Sequence, residues 1–296
     1  MNSSLRVLHF SDIHVGLAVR HMEWKNWFSK RAVGAINLLR GRSKCFDDAR
    51  EKIEAIVQFR AVNNIDLVIN TGDYTALGLE TELREARRLV DPLMHPSENF
   101  ITVPGNHDIY VDEIKSHAHF FEQFRSVLYS DMPEYCRGGH WPLIRLAGPD
   151  VAVIALNSAR PNPVPWVSSG CIPPEQLNIL DEILADGRLH GRFIFIVTHY
   201  APLLADGSSD TRMHGIINAE RFLDKCRLIQ SGAILCGHVH ETYHVPADGL
   251  NCDIYCAGSA VAEGKEGFWV YEVDEEGVRA ERICWNRAER LFMAEP

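Results

Sequence analysis

Five short apolar runs recur along the chain: Leu5 to Phe10, Ile65 to Asn70, Phe100 to Val103, Phe193 to Val197 and Ala233 to Cys236. Each has strand length and stops at a polar cluster of Asp, Asn, His or Gly. Between them the period changes. Asp47 to Val62 carries Ala49, Ile53, Ile56, Val57 and Phe59 at helical spacing, with Asp47 and Asp48 near its start. Glu80 to Met94 reads as a helix closed by Pro96, and Asp112 to Tyr129 as a further, Phe-rich helix. Later the rhythm shifts to strands. Leu143 to Leu146 and Val151 to Leu156 flank Gly148-Pro149-Asp150 as a hairpin. Helices are predicted over Pro173 to Leu184, with proline in the first turn, and Ala219 to Gln230. Tyr243 to Val245, Asp253 to Ala257, Phe268 to Val273 and Val278 to Ile283 read as a closing set of antiparallel strands. An early half that alternates strand and helix, and a late half that is mostly strand, predict a layered α/β arrangement of two packed, partly mixed sheets. No internal repeat or low-complexity linker interrupts residues 1–296, so a single domain is expected.

Composition narrows this little. Apolar residues make up 46% and charged residues 24%, enough for a sizeable core. The net charge of −10 argues against nucleic acid as a partner. It leaves an anionic small molecule open, because bound cations can reverse the local sign. No basic segment followed by a long apolar stretch opens the chain, and the longest apolar runs are too short to cross a bilayer. The eight cysteines form no CxxC pair, and they read as free thiols in a reducing compartment. A cytoplasmic protein is expected, with any membrane contact peripheral to the inner membrane.

The polar clusters carry the chemistry. They are Asp12-Ile13-His14, Gly72-Asp73, Gly105-Asn106-His107-Asp108, Thr198-His199 and Gly237-His238-Val239-His240. Carboxylate, imidazole and amide donors suit borderline and hard divalent ions, and no thiolate stands among them. The natural reading is a two-metal hydrolytic centre. Two ions about 3.5–4 Å apart need a bridging carboxylate, and Asp73, alone in its cluster, is the best candidate. Asp12 and His14 are one residue apart, so on an extended segment they point the same way, and His238 and His240 share that spacing. Such ions acidify a bridging water to a hydroxide nucleophile and neutralise a reacting phosphoryl group. His107, if not a ligand, is placed to stabilise or protonate the leaving oxygen. Two readings stand for Asp108: it orients the His107 ring, or it hydrogen-bonds backbone in the Gly105 turn.

These ordered clusters resemble the signature of the calcineurin-like metallophosphoesterase superfamily, and the match spans residues 12 to 240. The resemblance implies a metallo-dependent phosphatase-like fold, a four-layer α/β/β/α sandwich of two mixed sheets. It implies Asp12, His14, Asp73 and His240 at one ion, and Asp73, Asn106, His199 and His238 at the other. It also implies His107 as the catalytic histidine. The metals would be manganese, iron or zinc. The arginine-bearing second motif of the family's serine/threonine protein phosphatases is missing, and the third motif ends in Asp108. The chain is more similar to the bacterial phosphodiesterase branch that includes the class III cyclic-nucleotide enzymes. The expected activity is hydrolysis of phosphodiester or pyrophosphate-type bonds in a small phosphoester. A scaffold with the same fold and no activity is the rival from another class, set against a complete ligand set here.

One stretch departs from the acidic average. Residues 21–44 read as a basic amphipathic insertion. From 23 to 44, Lys25, Lys30, Arg31, Arg40, Arg42 and Lys44 interleave with Trp24, Trp27, Phe28, Val33, Ile36, Leu38 and Leu39. It is either an ordinary helix packed on the core, or a segment that meets an anionic lipid surface or grips an amphipathic ester. By resemblance the latter fits relatives that cleave the pyrophosphate of a UDP-linked acylated sugar. Arg160, after Asn157-Ser158 at a strand end, is a candidate phosphate clamp or a structural arginine. The proline-rich loop from Arg160 to Gly170, with Trp166, is a candidate wall of the site. Histidines outside the clusters, such as His9 and His214, read as structural.

Overall fold

The computed structural model describes residues 4–16, 30–39, 48–137, 139–162, 164, 166–275 and 277–295. Its strands are β1 (Leu5–Phe10), β2 (Leu67–Asn70), β3 (Phe100–Thr102), β4 (Leu143–Ala147), β5 (Val151–Ala155), β6 (Phe193–Val197), β7 (Gly232–Cys236), β8 (Thr242–Val245), β9 (Cys252–Ala257), β10 (Gly267–Asp274), β11 (Gly277–Asn286) and β12 (Leu291–Ala294). They form two six-stranded sheets, ordered β12-β11-β10-β1-β2-β3 and β4-β5-β6-β7-β9-β8. In the first, β1, β2 and β3 run parallel, and β10 joins β1 antiparallel. In the second, β5, β6, β7 and β9 run parallel. The sheets are therefore mixed. The helices are α1 (Lys30–Leu39), α2 (Ala49–Val62), α3 (Glu80–Val90), α4 (Glu113–Phe124), α5 (Pro174–Leu184) and α6 (Ala219–Cys226).

Strand periodicity decides which residues meet between the sheets. Along β5 and β6, Val151, Val153, Ala155, Phe193, Phe195 and Val197 join the large core shared with β1 and β10. Their alternates Ala152, Ile154, Ile194 and Ile196 face the other way, into a second core with Leu177 and Leu180 of α5 and Phe222 of α6. Rings cross between the sheets: Tyr271 of β10 stands 5.4 Å from Phe195 and 5.2 Å from Tyr255 of β9. On the far side of the first sheet, α2 sets Phe59 against Phe268 of β10. Helices thus flank two packed sheets, the layering expected of the chain.

Several elements end differently from the pattern. The four late strands are not one closing set. β8 and β9 complete the second sheet, while β10 and β11 belong to the first, extended by β12, a four-residue strand not among the expected ones. The Phe-rich helix stops at Phe124 rather than Tyr129, and α6 stops at Cys226 rather than Gln230. Asp112 starts α4 by accepting a hydrogen bond from the Lys115 amide. Of the basic segment, Lys30–Leu39 forms α1, and the rest of 21–44 lies outside the described residues. Among the described residues no helix is long and apolar enough to cross a membrane.

Candidate metal centre

The carboxyl ends of β1, β2, β3, β6 and β7 converge, and every polar cluster follows one of them. Strand ends are where α/β sheets place ligands, because the loops after strands are free to carry donors. Here the loops are locked to each other. The Asp12 amide donates to the Gly72 carbonyl at 3.0 Å and the His14 amide to the Asp73 carbonyl at 3.0 Å. The His238 amide donates to Asp12 Oδ2 at 3.0 Å, joining the two sheets at the site. Gly237 is needed for that closeness, since a Cβ there would come within 2.5 Å of Asp12 Oδ2.

All seven expected donors come together, but not by strand alternation. Asp12, His14, Asp73, His238 and His240 have φ of 53°, 37°, 58°, 73° and 53°. This left-handed region is costly for residues with a Cβ, and such outliers gather where function over-determines the backbone. The extended geometry expected for Asp12/His14 and His238/His240 is corrected accordingly. The loops curl straight after each strand, and the curl turns the side chains inward.

Asp12, His14, Asp73 and His240 form one group whose donor atoms all lie within 4.8 Å of one another. His14 Nε2 lies 2.8 Å from His240 Nε2, 3.5 Å from Asp12 Oδ1 and 3.7 Å from Asp73 Oδ2. Beside it, Asn106 Oδ1 stands 3.0 Å from His199 Nε2 and 2.9 Å from His238 Nδ1. Asp73 Oδ2 is also 3.5 Å from His199 Nε2, so one carboxylate faces both groups. Donors about 2.0–2.2 Å from an ion lie about 3 Å from each other, which is the spacing seen.

Hydrogen bonds at the back of each ring set which nitrogen faces inward. His14 Nδ1 donates to the Thr75 carbonyl at 3.1 Å, His199 Nδ1 to the Thr71 carbonyl at 2.7 Å, and His238 Nε2 to the His214 carbonyl at 3.1 Å. A carbonyl can only accept, so the opposite nitrogen of each neutral ring presents its lone pair to the centre. Burial lowers His199 and takes His238 well below the ordinary histidine range, keeping both neutral. Asp12 Oδ1 is buried with no hydrogen-bond partner among the described residues. An orphaned carboxylate oxygen aimed at imidazole nitrogens fits a cation between them. The donor set therefore suits a binuclear divalent site.

At two residues with two open readings, the hydrogen bonds follow the structural one. Asp108 does not touch the His107 ring. It is buried and accepts from the amides of Gly105 (2.9 Å), Asp73 (3.0 Å), Tyr74 (3.0 Å) and Thr75 (3.1 Å). Burial pushes its carboxyl up, to about 7, against the pull of those amides. Four donors converging on two oxygens are satisfied by the carboxylate form, which clamps the Asp73 loop to the Asn106 loop. His107 is oriented instead by Ala76, whose carbonyl accepts from Nδ1 at 2.7 Å. Arg160 is likewise no clamp in the cleft: its guanidinium donates to the carbonyl and hydroxyl of Ser169 at 3.2 and 3.0 Å, stiffening its own loop.

The donors open into a cleft of about 400 Å³. Its walls combine residues of the expected loop and the basic stretch with others that no cluster marked. His214 packs tilted against His238 at 4.3 Å, and Tyr110 stacks on His107 at 5.2 Å. Trp166 and Val33 also line it, 78% and 43% exposed. Trp166 belongs to the loop expected as a wall and Val33 to the basic stretch, whereas no spacing marks Tyr110 or gives His214 a place at the cleft, because loops bring them in from separate parts of the chain. Pro163 and Pro165 of the proline-rich loop lie outside the described residues.

The family model described as calcineurin-like phosphoesterase matches residues 5–242. Similar solved structures include a dimetal phosphatase from Danio rerio, 14% identical, covering 98% of each chain at a TM-score of 0.61. A purple acid phosphatase from yellow lupin (Lupinus luteus) seeds is 14% identical over 96% of this chain and 52% of its own, at 0.58. GAP50, the anchor in the inner membrane complex of Plasmodium, is 11% identical over 99% of this chain and 88% of its own, at 0.54. At these identities the likeness is one of fold. No curated protein matches the sequence.

Proposed function

This chain belongs to the calcineurin-like phosphoesterase family, and we propose that it is a metal-dependent phosphoester hydrolase acting on phosphodiester or pyrophosphate-type bonds. One observation carries the reading: two donor groups share the Asp73 carboxylate at the mouth of a cleft. Asp12, His14, Asp73 and His240 would hold one divalent ion, and Asp73, Asn106, His199 and His238 the other. Such ions supply Lewis acidity toward phosphoryl oxygens and make a water acidic enough to ionise near neutral pH.

The protein's own groups do the rest. His107 keeps its Nδ1 proton on the Ala76 carbonyl, which leaves Nε2 to exchange a proton with the leaving oxygen. Tyr110 stacks on that ring and limits its rotation. Asp108 holds the Asp73 and Asn106 loops at fixed separation through its four amide bonds. The absence of an arginine from the Gly72-Asp73-Tyr74-Thr75-Ala76 motif supports the bacterial phosphodiesterase branch over the protein phosphatases.

With manganese and an aryl phosphodiester, Asp73→Ala and Asn106→Ala should each lower kcat/KM at least about a hundredfold with the fold intact. Wild-type turnover in both variants rejects the mechanism. A second reading, a membrane-peripheral pyrophosphatase for a lipid-linked nucleotide sugar, is favoured by the exposed Trp166 and Val33 on the cleft wall. Co-sedimentation with anionic vesicles tests it, and no binding by the wild type removes it.

A further inference from the structure

Lys30 begins α1 and lines the cleft. Its ammonium donates to the Val167 carbonyl at 2.9 Å and stands 5.0 Å from the centre of the Tyr110 ring. An ammonium has three donors, and this bond uses one. Among the described residues no carboxylate pairs with it. Burial lowers its pKa, so solvation has been lost without an acid to replace it.

The next residue explains how Lys30 is held there. Arg31 turns away from the cleft and donates to the carbonyls of Leu77 at 2.9 Å and Gly78 at 2.6 Å. Gly34 lets the helix come down on the same loop, since a Cβ there would stand 2.6 Å from Leu77 Cδ2. The start of α1 is thereby fixed to the segment that follows Asp73, and Lys30 projects over the cleft from a fixed base.

Lys30 does not face the donor groups directly. The Tyr110 ring lies beside it, the His107 ring stacks 5.2 Å beyond that, and His14 follows at 4.8 Å. This row of rings sets Lys30 further out than a phosphoryl group held at Asp73. An anion that meets Lys30 is thus a different group of the same ligand. Resting on the hydrolase reading above, we propose that Lys30 is a specificity-determining residue for a second anionic group. The cleft then takes phosphoesters that carry a phosphate or carboxylate beyond the bond that is cleaved.

Binding separates this from turnover. Alkane diphosphonates of graded spacer length are titrated calorimetrically into the manganese-loaded protein, each beside the alkyl monophosphonate of equal length. In the wild type one spacer length should bind about tenfold tighter than its monophosphonate, the worth of one charge-assisted contact. Lys30→Met and Lys30→Gln should both lose that gain, the latter while keeping a donor for the Val167 carbonyl. Lys265→Met, which removes another cleft lysine, should keep it. No gain at any length in the wild type overturns the proposal, as does a gain that persists in both Lys30 variants or vanishes with Lys265. An aryl phosphodiester left uncleaved by the wild type would sink the hydrolase reading and leave this contrast readable.

Discussion

His14 Nε2 and His240 Nε2 face each other at 2.8 Å across 226 residues of sequence. His14 gives its other proton to the Thr75 carbonyl, so the facing nitrogen carries a lone pair when the ring is neutral. The orphaned Asp12 Oδ1 lies 3.1 Å from the same His240 nitrogen. A cation relieves this crowding of lone pairs. Chelation of divalent ions should therefore lower the melting temperature by roughly 5–10 °C, and manganese should restore it. Scanning calorimetry checks this, and the metal-dependent shift should shrink in His14→Ala and His240→Ala.

His107 should separate chemistry from metal binding. Its Nδ1 is held by a carbonyl and its ring by Tyr110, and although it packs against His14 it is not among the donor atoms that gather with Asp12, His14, Asp73 and His240. His107→Gln should reduce kcat about a hundredfold or more while metal content, measured by atomic emission, stays that of the wild type. Loss of metal in this variant would instead make His107 a ligand.

Asp108 should act on stability before activity. Asp108→Asn turns one of its two acceptor oxygens into a donor facing backbone amides. Each stranded amide costs about 1–3 kcal/mol. Urea denaturation should show a loss of roughly 2–4 kcal/mol, whether or not metal is present. A variant as stable as the wild type would contradict the clamp.

His9 gives the protein an acid limit away from the donors. Its ring is buried between the Tyr271 hydroxyl at 3.1 Å and the Thr71 hydroxyl at 3.2 Å, and burial lowers its pKa to about 3. The unfolded chain takes up this proton near pH 6.5, and the folded chain refuses it until about pH 3. The contribution is whole above pH 6.5 and is lost as pH falls toward 3, by about 1.4 kcal/mol per unit. Between pH 6.5 and 5 that amounts to about 2 kcal/mol. His9→Gln should flatten the pH dependence of the unfolding free energy by that amount, as followed by denaturant titration at the two pH values.

Gly237 tests how tightly the sheets must meet. The Cβ of Gly237→Ala would press on Ser11 and Asp12, and the His238 amide could no longer approach Asp12 Oδ2. Metal affinity should fall about tenfold or more, read by competition with a chelator. An unchanged affinity would show that the loops can part without cost to the site.

Much of this molecule is written locally. Apolar runs of strand length and 3.6-residue spacing in Ala49–Val62 follow from the neighbours of each residue, so both were legible in the chain. So were the seven donors, because each sits in a short cluster directly after a strand and the residue types themselves carry the chemistry. What spacing could not convey is how the donors turn inward. Left-handed backbone at Asp12, His14, Asp73, His238 and His240 is imposed by bonds between loops, such as the His238 amide to Asp12, not by local preference. The partners of Asp108 and the division of the last strands between two sheets likewise depend on segments far apart in sequence. Sequence alone determined which atoms could bind metal, since donor chemistry belongs to the residue. Tertiary structure decided which nitrogen of each ring faces the centre and which side chains wall the cleft, because those are settled by hydrogen bonds and packing between distant segments.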